Sequence, residues 1–184
     1  MAYGVQSIVR RLAGSLRMLR RDRSGATAIE FSLLALPFAL LAFAILETTV
    51  SFAAQQVVTN AVDEIARQVR TGKLTLANTT QQQFRDKICA EISVITGSAC
   101  SGLVWDLQSY ASFSAVPKTV PKAGDGDINT SGFGYNPGEA GSIVSLRIFY
   151  KWPVLIDMMQ SSMANLPDNK TLLYASVTWQ NEPF

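Results

Sequence analysis

The sequence predicts an α+β chain: one long N-terminal helix, apolar in its first half, leading into a small domain with an antiparallel sheet packed against helices. Three observations predict it. Phe31 to Leu46 forms sixteen residues without a charge, bounded by Glu30 and Glu47. A stripe at Val58, Val62, Ile65 and Val69 follows at helical spacing. Three later segments alternate apolar and polar residues as half-buried strands do.

The apolar run, taken as helix, covers ~24 Å, and a hydrocarbon core is ~30 Å thick. Ala26, Ala28, Ile29, Val50, Phe52, Ala53 and Ala54 extend it to a workable span. The helix is expected from about Ala26 to about Thr71, with Gly72 as its stop. Pro37 lies inside it, removes one backbone donor and is expected to kink it.

Residues 73–184 are expected to form one domain. Asn78, Thr79 and Thr80 offer N-caps for an amphipathic helix from about Thr80 to Ile95, with Phe84, Ile88, Ile92 and Ile95 on one face and Gly97 as terminator. The first strand pattern, Leu103 to Ala115, places Leu103, Trp105, Leu107, Ala111 and Phe113 inward and Asp106, Gln108, Ser112 and Ser114 outward. The second, Ile143 to Trp152, places Val144, Leu146, Ile148, Tyr150 and Trp152 inward, with Ser145, Arg147 and Lys151 opposite. The third, Leu172 to Gln180, places Leu173, Ala175, Val177 and Trp179 inward. A sheet with one packed face follows. A short helix is expected within Val154–Asn165, then a turn at Leu166–Lys170. Val116 to Gly141, rich in Gly, Pro, Asn and Asp, reads as a long exposed loop and a candidate for partner contact.

Charge and composition bound the function. There is no His, which excludes Ser-His-Asp and Cys-His nucleophilic sites and His-ligated zinc. Two Cys cannot make an all-Cys zinc site within one chain. No cofactor, metal or catalytic residue is assigned, the carboxylates are scattered and no nucleophile has a candidate base, so the expectation is a protein that is not an enzyme. Within Asp125-Gly126-Asp127-Ile128-Asn129, oxygen ligands alternate as in calcium loops, but Thr130 and Asn136 stand where an EF-hand needs Gly and Glu. Solvated turn residues are the better reading.

The net charge of +2 hides an asymmetry. Residues 1–25 hold Arg10, Arg11, Arg17, Arg20, Arg21 and Arg23 against Asp22, for a net +5; residues 26–184 carry a net −3. The basic excess ends where the apolar run begins, which argues against nucleic-acid binding and for a cytoplasmic N-terminus on a single-pass inner-membrane chain, with 73–184 in the periplasm. Val5, Ile8, Val9, Leu12, Leu16 and Leu19 recur at helical spacing, so residues 1–25 read either as an amphipathic helix on anionic membrane lipid or as a disordered basic tail. Cys89 and Cys100 would then lie in an oxidising compartment, where a disulfide is the expected pairing. A secreted product cut at Ser51-Phe52-Ala53 is the rival organisation; the apolar run is longer than a signal-peptide core.

The boundary reads Arg21-Asp22-Arg23-Ser24-Gly25-Ala26-Thr27-Ala28-Ile29-Glu30-Phe31. A carboxylate at the edge of an apolar span is costly without a partner. An α-amino group made by cutting after Gly25 would be one. The arrangement resembles the prepilin peptidase site of the type IV pilin superfamily. More narrowly, RRDRSGATAIEFSLLALPFALLAFAILE is similar to the N-terminal signature of TadE-like proteins, pseudopilins of the tight-adherence (Tad/Flp) pilus system. Arg147–Pro153 and the terminal Asn181-Glu182-Pro183-Phe184 are similar to that family's C-terminal region. The resemblance implies a leader at 1–25, a scissile bond between Gly25 and Ala26, and a processing motif that includes Glu30 and Phe31. It implies that Glu30 acts in processing, N-methylation or assembly. The implied partners are a prepilin peptidase, other pilins or pseudopilins, and the inner-membrane assembly platform. An uncleaved single-pass protein whose domain binds envelope partners is the alternative.

Overall fold

The computed structural model describes residues 25–97 and 99–184. The readings made for residues 1–24, the basic leader and its amphipathic pattern, lie outside the described residues. The described residues divide into two compact units, with the boundary between Phe43 and Ala44.

Helix α1, Ala26–Arg70, is continuous and includes Pro37. Its end is a Schellman arrangement: Lys73 N–H donates to the Gln68 carbonyl (2.9 Å) and Gly72 N–H to that of Val69 (3.0 Å). Gly72 has φ +73°, and the Phe184 ring sits where a Cβ would project, so two features select glycine there.

In the second unit, α1 buries Ala54, Val58, Ala61, Val62, Ile65, Ala66 and Val69. Helix α2, Gln81–Glu91, opens on a capping box in which Thr80 and Gln83 exchange hydrogen bonds. It buries Phe84 and Ile88. The expected helix to Ile95 is broken at Ile92, and a single turn, α3, resumes over Ser93–Thr96 before Gly97 at φ +65°. Ile92 stays buried across the break. Cys89 and Cys100 form a disulfide, Cα to Cα 5.8 Å. In the chain-entropy view it closes a short loop and stabilises by roughly 2–3 kcal/mol.

Strands β1 (Leu103–Tyr110), β2 (Ile143–Pro153) and β3 (Lys170–Gln180) form one antiparallel sheet in that order. Leu107 pairs with Leu146 and Leu146 with Val177; Trp105 pairs with Ile148 and Ile148 with Ala175. These residues belong to one core cluster with the buried faces of α1 and α2. The first strand stops at Tyr110 rather than running to Ala115, because β2 begins opposite it at Ile143. Phe113–Ala115 is instead a 3₁₀ turn, with Phe113 exposed. Helix α4, Asp157–Met163, is shorter than the expected span. Asp168 and Asn169 take left-handed φ in the turn before β3, a conformation Asp and Asn tolerate.

The second face of the sheet corrects the sequence reading. β2 is the middle strand and is buried on both faces from Val144 to Tyr150. The 116–141 segment is not a free loop: it lies over that face, where Ile128 packs with Phe149 and Leu166 and against Val120, Phe133, Leu172 and Tyr174. It also lines the outer edge of β1, where Leu107 N–H donates to the Gly134 carbonyl and Asn136 N–H to that of Leu107. The edge is thus blocked at Leu107, in the middle of the strand. Gln55 of α1 does the same for β3, exchanging hydrogen bonds with both backbone groups of Tyr174.

Asp106 and Arg147, expected to face solvent, form a buried ion pair under that segment. Arg147 donates to Asp106 Oδ2 from Nη2 (2.7 Å) and Nε (3.1 Å). Asp106 Oδ1 accepts from Gly134 N–H and Gln108 Nε2, both at 2.9 Å. The guanidinium lies 5.1 Å from the Phe133 ring centroid. Every strong acceptor is used, the condition under which a buried pair is tolerated. Removing one partner leaves the other charge buried. Asp106→Ala is therefore expected to cost about 3–5 kcal/mol, and the paired Asp106→Leu/Arg147→Met replacement far less. Urea unfolding of the full chain in detergent checks both.

Candidate functional site

The residues singled out at the apolar boundary lie together at the start of α1. Gly25 immediately precedes the helix, and its carbonyl accepts the first helical bond, from Ile29 N–H at 3.1 Å. Gly25 is exposed, and no described residue lies within 4 Å of where its Cβ would project. Ala26 and Glu30 are exposed, and no described residue hydrogen-bonds or ion-pairs with Glu30. Phe31 is 72% exposed. The large side chains that follow, including Leu33, Leu34, Leu36, Phe38, Leu41, Phe43, Ile45 and Leu46, are all exposed. Among the described residues α1 is the one helix long and apolar enough to cross a membrane; mean hydropathy reaches 2.3 over eighteen residues. A polypeptide surface of this length and apolarity is stable only against lipid or another apolar surface.

Residues 25–67 match the family model of TadE-like protein. No curated protein and no solved structure matches the chain. The TadE-like stretch begins at Gly25 and ends within the last turn of α1. It takes in the candidate boundary residues, the apolar half of the helix and the half that forms the core. The resemblance read from the sequence holds over that stretch.

The TadE-like helix carries a second carboxylate that sequence reading treated only as the end of the apolar run. Glu47 is buried. Its carboxylate accepts the backbone N–H of Leu155 and that of Ile156, the latter at 3.1 Å to Oε2. These amides belong to the loop between β2 and α4, so one side chain ties that loop to α1. Only the unusual position of an acid beside an apolar run hinted at it.

The C-terminal residues Asn181 and Glu182 act as structure. Asn181 is buried: its Oδ1 accepts from Trp179 Nε1 (2.8 Å), and its Nδ2 donates to the Pro137 and Glu139 carbonyls. Glu182 N–H donates to the Arg70 carbonyl at the end of α1, and its carboxylate lies 3.3 Å from Arg70 Nε. The tail thus closes the second unit at the end of α1.

The Asp125–Asn129 segment spends its oxygens within the chain. Asp125 Oδ1 accepts from Asp127 N–H, Asn129 Oδ1 from Ser131, and Asp127 Oδ2 from Lys151 Nζ at 2.6 Å. Among the described residues no group of three metal-ligating side chains forms. The Lys151 hydrogen bond first, then the Ile128 amide, hold the Asp127 carboxyl below its ordinary range. A lowered folded-state pKa gives stability present above about pH 4 and lost as pH falls through the folded value. The melting-temperature advantage of the wild type over Asp127→Asn is expected to be constant at neutral pH and to vanish as pH drops below about 4. Thermal melts across that range, with and without calcium, test this; calcium is expected to leave them unchanged.

Proposed function

We propose that this chain is a structural component of a Tad (Flp) pilus, made as a precursor and matured by a prepilin peptidase that cuts between Gly25 and Ala26. What carries the reading is the TadE-like match over a helix that starts at an exposed Gly25 and presents a long unburied apolar surface. The peptidase comes from another protein, and this chain is its substrate. The basic leader holds the N-terminus at the cytoplasmic face, because moving several Arg through hydrocarbon is prohibitive. Its removal leaves the helix free to leave the bilayer sideways into an assembly. The Cys89–Cys100 disulfide supports a periplasmic place for the second unit.

Glu30 has a role in this scheme because it stands five residues beyond the cut, exposed and without a described partner. The new α-amino group of Ala26, on its own chain or a neighbour's, neutralises it inside the apolar packing of an assembly. Exposed apolar side chains between Phe31 and Leu46 supply the packing with other pilins or pseudopilins and the assembly platform.

Gly25→Leu is expected to abolish maturation. No described residue crowds the Gly25 Cβ position, so a loss is expected to report on the peptidase. Intact mass of the membrane-extracted chain decides it: retention of the leader is expected, and normal processing would contradict the assignment. Glu30→Val is expected to insert and be cut normally but to reduce piliation by at least about tenfold, since an uncompensated amine would stay in apolar surroundings. Pilus counts at wild-type level would remove Glu30 from assembly.

A further inference from the structure

We propose that the segment from Leu155 to Met158, the end of the loop after β2 and the start of α4 with the exposed Asp157 in its headgroup-facing turn, is a second membrane contact of the C-terminal unit. The proposal rests on the reading of Phe31–Leu46 as a membrane span.

The placement comes from Glu47. The apolar run ends at Leu46, one residue earlier, and the Glu47 carboxylate holds the backbone amides of Leu155 and Ile156. The loop is therefore fixed beside the end of the apolar run. Its neighbour Val154 is buried in the domain, while Leu155 is 77% and Met158 67% exposed. Two large apolar side chains are thus held out, on a backbone that is itself pinned. Val50 and Phe52 of α1 are also exposed, so the apolar surface continues past the run on the helix itself. Next to it lies an apolar groove of about 280 Å³, lined by Thr48, Ser51, Phe52, Gln55, Met163, Thr171 and Leu173.

The occupant is lipid, because within the second unit these side chains share the exposed surface with Ile45 and Leu46, the last residues of the apolar run. The clamp also explains how an acid can stand at this depth: the carboxylate is covered and satisfied by two amides instead of facing hydrocarbon. Short apolar loops that enter the headgroup and upper acyl region gain by burying such side chains, as interfacial helices do. Docked in this way, the unit is held against the membrane before assembly, and lifting α1 from the bilayer must also withdraw the loop.

The test is photocrosslinking of the full chain in phosphatidylethanolamine and phosphatidylglycerol vesicles, at a dilution near one copy per vesicle. Benzoylphenylalanine replaces Leu155 or Met158, with Phe38 as a site within the span. Leu76 is the control: it is exposed and lies beyond the far end of α1, with about 34 Å of helix between Glu47 and Arg70. Intact mass identifies the adduct. Lipid adducts at 155 and 158 are expected within about threefold of position 38 and at least about tenfold above position 76, as an interfacial seat requires. Labelling at 155 and 158 no higher than at 76, with 38 labelled, overturns the inference and leaves the span intact. Protein adducts at 155 and 158 in place of lipid ones also overturn it, since the loop would then face another chain. Absence of lipid adducts at 38 overturns the span, and the inference with it.

Discussion

Burial of one stripe of α1, Ala54 through Val69, against the sheet and α2 is the contact on which the second unit depends. Val58, Val62, Ile65 and Val69 are fully enclosed and share a core with Phe84, Ile88, Leu107, Leu146 and Ile148. A three-stranded sheet and one eleven-residue helix have too little apolar surface to enclose a core without it. The same helix, before Glu47, leaves every large side chain uncovered. The second unit therefore needs this stripe, and the exposed apolar residues before it need a partner of their own. No step separates anchoring from folding, and a cut within α1 would damage both.

The second face of the sheet is solved by a different device. β2 must carry Arg147 and Lys151 beside Phe149, and a charge under a covering segment needs a partner of fixed geometry. Asp106, directly opposite Arg147 in register, supplies it. Its other oxygen holds the covering segment at Gly134. Lys151 reaches Asp127 of the same segment. Two ion pairs thus place a stretch rich in Gly, Pro and Asn that has little regular structure of its own.

Much of this was legible in the sequence. The periodicity of α1, the alternation of the three strands and the inward residues Leu107, Leu146, Ile148 and Val177 follow from side-chain direction alone. Gly72 as the helix stop follows from its freedom at positive φ. What was not legible depends on distant pairing. Asp106 and Arg147 read as solvent-facing because alternation reports two faces, not what covers each. The 116–141 segment read as exposed because its composition lacks a period, yet Ile128, Phe133 and Tyr135 were enough to seat it. Glu47 read as a border because its partners are backbone amides more than a hundred residues away, which no side-chain pattern encodes. The boundary residues were legible as a set, since Gly25, Ala26, Glu30 and Phe31 fall within one turn and a half of helix. Their roles come from resemblance and chemistry rather than from packing.

The central claim is that this chain becomes functional by losing its basic leader at the start of α1. Its most direct test is the N-terminus of the native protein, read by intact mass and N-terminal peptide mapping from membranes of the natural host. The account predicts a chain that begins at Ala26, methylated or not. A chain that begins at Met1 or Ala2 would contradict processing and leave an uncleaved anchor. One that begins near Ala54 would contradict the membrane reading as well, because it would remove Glu47 and the apolar half of α1 together.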